Sequence, residues 1–133
     1  MPGWAYLLLS ERGEVYLGAT RSLRRRFRSH NSPRNDGWTK GRRWHLLAAR
    51  RFATFDEAYE FEKWLKRRPD LKIIWKLRNL PRARKIVARR SYPFSPDDWL
   101  KVHRPSYVRA ALKPEPSSSI PSSVFRGPEG PAA

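Results

Sequence analysis

The chain has 133 residues, no cysteine, and 29 lysines and arginines against 12 acidic residues, a formal net charge of +17. These values exclude disulfides and cysteine-based zinc sites, and the length fits one domain of roughly 90–110 residues plus an extension. Such a charge on a small domain calls for a polyanionic partner, nucleic acid first, bound with strong salt dependence. A ribosome-bound or membrane-surface protein has the same bulk charge, and charge alone is silent on catalysis.

The basic residues fall five in 21–28, five in 40–51 and twelve in 63–90, so they cover the folded part rather than a tail. The apolar run Leu7–Leu9 has no basic segment before it and meets Glu11, so neither a signal peptide nor a membrane span is expected. The lack of cysteine suits a reducing compartment: cytoplasm, with nucleoid or nuclear association depending on the source.

Residues 4–31, WAYLLLSERGEVYLGATRSLRRRFRSHN, predict two strands, a tight turn between them and a basic helix. Glu11-Arg12-Gly13 reads as a three-residue hairpin loop with Gly13 at its left-handed position. If Ser10 pairs with Glu14, Tyr6 faces Gly18 and Leu8 faces Tyr16 on one side of the hairpin. Ala5, Leu7, Leu9, Val15 and Leu17 then make a core face on the other. Gly18 leaves space for a ligand beside two tyrosyl hydroxyls. In the helix, Thr20 or Ser22 is the cap and Leu23 and Phe27 point inward. Arg26 and His30 lie beside that seam, one turn apart, while Arg24, Arg25 and Arg28 point to solvent.

Residues 32–43 are turn-rich and predict a loop whose Lys40, Arg42 and Arg43 are candidate phosphate contacts. WHLLAARRF, residues 44–52, predicts a third strand, with His45 a surface or edge-strand residue. A helix over 55–67 starts at Thr54 or Asp56, with Ala58, Phe61 and Leu65 as its apolar stripe. Glu62 falls inside that stripe. A carboxylate there needs a partner, either a basic side chain or a bound metal.

Further helices are expected over roughly 70–79 and from Pro81 to about Arg90, with Trp64 and Trp75 as packing residues. Residues 91–104 shift in composition and read as a strap or short appended segment, with Asp97 and Asp98 capping a turn at Trp99–His103. Residues 105–133 are Pro/Ser-rich and expected to be disordered. The organisation is thus a domain over 1–90, a strap over 91–104 and a tail over 105–133.

Tyr6 in Trp4-Ala5-Tyr6, then Tyr16-Leu17-Gly18, Arg26, His30 and Asn31 at this spacing, resemble the core of a GIY-YIG endonuclease. The first signature tripeptide keeps only its tyrosine and the second has Leu for Ile. Ala58, Glu62 and Lys66 match the family's Ala-x3-Glu-x3-Lys pattern, and Thr39-Lys40-Gly41-Arg42 matches its Thr-Lys/Arg-Gly-Arg element. The resemblance spans about residues 3–78. It implies an α/β (α+β) fold with a small three-stranded, mostly antiparallel sheet flanked by helices in β-β-α-β-α-α order.

The resemblance also implies metal-dependent phosphodiester hydrolysis. Glu62 would hold one Mg2+ or Mn2+ ion, Arg26 would stabilise the phosphate, and Tyr6, Tyr16 and His30 would activate water. Tyr6 is general base or water-orienter, its pKa lowered from about 10 by Arg26, a metal and the field of the whole chain. Gly18, Arg24, Arg25, Arg28, Asn31, Lys40, Arg42, Arg43 and Lys66 are the expected nucleic-acid contacts. The implied partner is DNA, branched or flapped DNA included, with target choice open to a specificity-giving protein partner and with repair or recombination as the setting. The alternative is a non-catalytic nucleic-acid-binding module on the same scaffold.

Overall fold

A computed structural model describes residues 1–35 and 37–113. In order, they form β1 (Gly3–Ser10), β2 (Val15–Thr20), α1 (Leu23–His30), β3 (Trp44–Phe52), α2 (Phe55–Lys66), α3 (Pro69–Arg78), α4 (Leu80–Arg90), α5 (Trp99–Val102) and α6 (Pro105–Leu112). A 3-10 turn at Pro96–Asp98 leads into α5. The sheet has the order β2-β1-β3 and is antiparallel throughout. This is the α+β architecture that the sequence predicts, with β1 at its centre and every residue of β1 buried.

The hairpin forms where the turn chemistry requires it. Ser10 N–H donates to the Glu14 carbonyl at 2.9 Å, and Gly13 N–H donates to the Ser10 carbonyl at 3.1 Å. Gly13 has φ of +87°, the left-handed region that a three-residue loop reserves for glycine. This fixes the expected register, with Tyr6 opposite Gly18 and Leu8 opposite Tyr16.

Alternation along β1 then sorts the core into two layers. Ala5, Leu7, Leu9 and Leu17 pack under Phe61 and Leu65 of α2, with Leu71, Ile74 and Trp75 of α3 behind them. Trp4, Tyr6 and Leu8 pack on the opposite face with Leu23 of α1 and with Trp44 and Ala49 of β3. A bulge in β3 opposite Leu7/Leu8 inserts one residue, which lets Leu47 and Ala48 both join the leucine layer.

Local signals set the helix starts. The Ser22 side chain accepts from Arg25 N–H, and the Thr54 side chain accepts from Glu57 N–H at 3.2 Å, with Asp56 and Glu57 on the favourable end of the α2 dipole. Proline occupies the first turn of α3 and of α4.

The far end of the chain differs from expectation. The fold does not stop at Pro105, since α6 packs on α3 with Ala111 buried, and Arg78 donates to the Ala110 carbonyl at 3.3 Å. Tyr107, Val108 and Ala111 give α6 an apolar stripe, but the helix has only eight residues and opens on a proline, too short for periodicity to separate it from a tail. Residues 96–103 pack against α3 and α4. Trp99 is buried beneath the Lys76 ammonium at 4.4 Å, and Lys76 also donates to His103 Nε2 at 3.1 Å. Asp97 pairs with Arg84 instead of capping the turn, and Asp98 occupies the N-cap of α5 without a side-chain cap hydrogen bond. Expected disorder over residues 114–133 lies outside the described residues. Among those, no helix is long and apolar enough to cross a membrane.

Candidate active site

The tyrosine face of the hairpin and the inward edge of α1 meet at one buried hydroxyl. Tyr6 Oη lies 2.9 Å from His30 Nε2, and both side chains are buried. The Tyr16 ring packs against both, its centroid 6.3 Å from Tyr6 and 5.0 Å from His30. The Arg26 guanidinium sits against both tyrosyl hydroxyls, which raises its own pKa.

Gly18 has a different role from the one expected. A Cβ there would lie 2.5 Å from the Tyr6 hydroxyl and 2.6 Å from its ring. The space the glycine leaves is filled by Tyr6 itself rather than held open for a ligand.

His30 is bonded through both ring nitrogens, with Nδ1 2.8 Å from Thr39 Oγ1. Thr39 is also buried and accepts from Asn35 Nδ2 at 2.7 Å, while Gly37 N–H donates to Asn35 Oδ1 at 2.9 Å and fixes the amide. Burial and the neighbouring Arg26 lower the His30 pKa to about 4, so the ring is neutral near pH 7. A neutral imidazole donates from one nitrogen and accepts at the other, so Thr39 and Tyr6 are the two ends of one proton-ordered chain.

Burial pushes the Tyr6 pKa up to about 12, against the opposing hydrogen bond from Arg26. The cations visible in the sequence predict a lowered value; in the folded chain desolvation wins. Tyr6 therefore rests protonated at neutral pH.

Glu62 lies on α2, which packs against β1 and β2. It is buried in the helix stripe as expected, and its charge is near enough to contribute to the rise at Tyr6. Its partner is Lys66, at 2.6 Å one turn along α2, rather than an arginine. That bond raises the Lys66 pKa. Among the described residues, no group of three His, Asp or Glu side chains is arranged to hold a metal. A lone carboxylate still fits a hard divalent cation that keeps most of its water shell, provided Lys66 gives way.

Other expected contacts divide into two sets. Arg24, Arg25 and Arg28 of α1 are exposed, as are Lys40 and Arg43 of the loop. Asn31 and Arg42 are occupied internally. Asn31 Nδ2 donates to the Trp44 carbonyl at 3.0 Å and its Oδ1 accepts Trp44 N–H at 2.7 Å, which ties the end of α1 to β3. Arg42 binds Glu14 at 2.6 Å and the Trp38 carbonyl at 3.0 Å, which pins the loop to the hairpin. His45, on the edge strand, is bonded to the Tyr92 hydroxyl.

Asn35, Trp38 and Lys72, near the centre, carry no marker in the sequence. Thr39 belongs to the Thr39-Lys40-Gly41-Arg42 element, but nothing local marks its hydroxyl as the one His30 meets. Lys72 looks like any solvent-facing lysine until α3 turns it toward Lys66.

Comparison with known proteins bears on this arrangement. The sequence model of the GIY-YIG catalytic domain matches residues 2–70, covering β1 through α2 and the start of α3. A UPF0213 protein from Bacillus pumilus (strain SAFR-032) is 30% identical over 73 residues, which is 51% of this chain and 74% of that protein. No solved structure matches. With the domain match spanning more than half of the sequence and every strand of the sheet, the chain belongs to the GIY-YIG catalytic domain family.

Proposed function

We propose that the protein is a metal-dependent endonuclease that hydrolyses phosphodiester bonds in DNA. The observation that carries this reading is the convergence of Tyr16, Arg26 and His30 on the buried Tyr6 hydroxyl, with Glu62, the one buried carboxylate among the described residues, on the helix packed against the opposite layer. A core that only needed apolar filling would not bury a histidine, a tyrosyl hydroxyl and a carboxylate together.

Each group has a part that its state in the fold supports. Arg26 is always charged and presents a planar fork, so it grips phosphate oxygens and stabilises charge that develops on them. His30, neutral and held by Thr39, fixes the Tyr6 hydroxyl. Tyr6 rests protonated, so it orients the attacking water; it acts as the base only when added positive charge lowers its pKa. Tyr16 completes the wall of the site. Glu62 would hold one divalent cation, Mg2+ or Mn2+, which would supply Lewis-acid stabilisation of the phosphate and a more acidic water. Lys66, the present partner of Glu62, would then be available to a phosphate. A basic groove of 610 Å3 continues past His30, with Arg43 and Arg90 among its lining residues, and suits the passage of a strand.

The second reading, a binding module without catalysis, draws on the closed Lys66–Glu62 pair and the high Tyr6 pKa. One experiment separates the two. Purified protein is incubated with supercoiled plasmid and with branched and flapped DNA in Mg2+, Mn2+ or EDTA, with Glu62→Ala alongside. Metal-dependent cutting that the variant lacks is the expected result. Salt-sensitive binding without cutting, in both proteins, would leave the module.

A further inference from the structure

Trp4, Trp44, Trp75 and Trp99 are all buried, whereas Trp38 is 61% exposed. It is not loose. Its ring stacks on Tyr16 at 5.9 Å and 24°, the Arg42 guanidinium lies 5.2 Å from its centroid, and Arg42 also donates to its carbonyl. The next residue, Thr39, is anchored in the buried chain behind His30. An aromatic plate is thus held upright at the lip of the candidate active site.

Trp38 is one wall of a hollow of 240 Å3 along the free edge of β2, which Tyr16, Lys66 and Lys72 also line. Lys66 is already bonded to Glu62. Lys72, on α3 beyond the matched catalytic domain, is half-buried, and its ammonium has no hydrogen-bond or ion-pair partner among the described residues. Burial and Lys66 both lower its pKa. Two ammonium groups facing one hollow, one of them without a counter-charge, are stabilised when an anion enters.

We propose that Trp38, Lys66 and Lys72 form a subsite for one unpaired nucleotide beside Tyr16, with its base stacked on Trp38 and its phosphate between the two lysines. The chemistry selects the unpaired form. A base within a duplex has both faces covered by its neighbours, and only an unstacked one can lie on a side-chain ring. The substrate class is therefore nucleic acid with a single-stranded segment at the cleavage site. The subsite rests on the nucleic-acid reading of this cleft and does not require that the protein cut.

The test uses the full chain in EDTA, so that binding is read without cleavage. Single-stranded DNA, single-stranded RNA and duplex DNA each carry one fluorescent adenine analogue. The expected result is quenching of the analogue in a single-stranded arm, DNA or RNA, and not in the duplex. Trp38→Ala should remove the quenching and weaken single-strand binding about tenfold while duplex affinity stays within about twofold. Trp38→Phe should restore most of both. Lys72→Gln should reduce the dependence of single-strand affinity on salt by about one counterion.

Absence of quenching in every arm would overturn the subsite. So would equal losses on single strands and duplex in Trp38→Ala, which would mean that the tryptophan only shields Tyr16. Quenching in a protein that never cuts leaves the subsite standing and removes the nuclease; cutting without quenching does the reverse.

Discussion

The two faces of β1 are equally dry and chemically opposite. On one, Ala5, Leu7 and Leu9 meet Phe61, Leu65 and Trp75, and nothing polar needs a partner. On the other, Tyr6 is just as buried, but its hydroxyl, the His30 ring and Thr39 form a chain in which each polar atom is bonded. Burial on the leucine face stabilises the fold at about 1.5–3 kcal/mol per large side chain. Burial on the tyrosine face mainly sets protonation states, holding Tyr6 protonated and His30 neutral. One strand therefore serves as both keel and wall of the candidate site, because successive side chains point to opposite sides.

That division can be broken from either side. The largest effect is expected from Glu62→Gln, which keeps the shape of the side chain and removes its charge. Cleavage should fall by about a thousandfold, with affinity in EDTA changed less than about threefold. Plasmid nicking and a binding titration read the two quantities; a parallel loss of both would make Glu62 a structural residue.

Leu65→Ala strikes the opposite layer. A stability loss of about 3 kcal/mol in urea unfolding is expected, with turnover per folded molecule unchanged. Activity lost at a temperature where the variant is still folded would show that the two faces are coupled.

Tyr6→Phe keeps the ring over Gly18 and deletes only the hydroxyl. A fall of about a hundredfold in cleavage is expected, against about 1 kcal/mol in stability. If stability falls and rate does not, the tyrosine face is merely another core.

The smallest effect is a pH dependence. An unfolded histidine takes its proton near pH 6.5, whereas His30 in the fold takes it only near pH 4. The unfolded state thus binds the extra proton first, and stability contributed by the neutral ring is lost as pH falls from about 6.5 toward 4. The loss should be about 1 kcal/mol between pH 6.5 and 5.5. It should vanish in His30→Gln, and denaturant midpoints across that range measure it. A flat profile in the unaltered protein would place His30 in contact with water.

By itself the sequence determined what short-range geometry controls. Glu11-Arg12-Gly13 set the turn, and the turn set the register, so Tyr6, Tyr16 and Gly18 were on one face before any tertiary contact was known. Helical spacing placed Arg26 and His30 beside the seam of α1 and Glu62 inside the stripe of α2 in the same way. Tertiary structure alone decided which distant groups those side chains meet. Glu62 meets Lys66 one turn along its own helix, a pair that helical spacing allows, whereas whether Tyr6 or a ligand fills the space at Gly18, and that Thr39 stands behind His30, depend on chain segments brought together from a distance. The direction of the Tyr6 pKa was hidden for the same reason. Its neighbouring cation is visible in sequence, but the desolvation that outweighs that cation exists only once β1 lies between two layers.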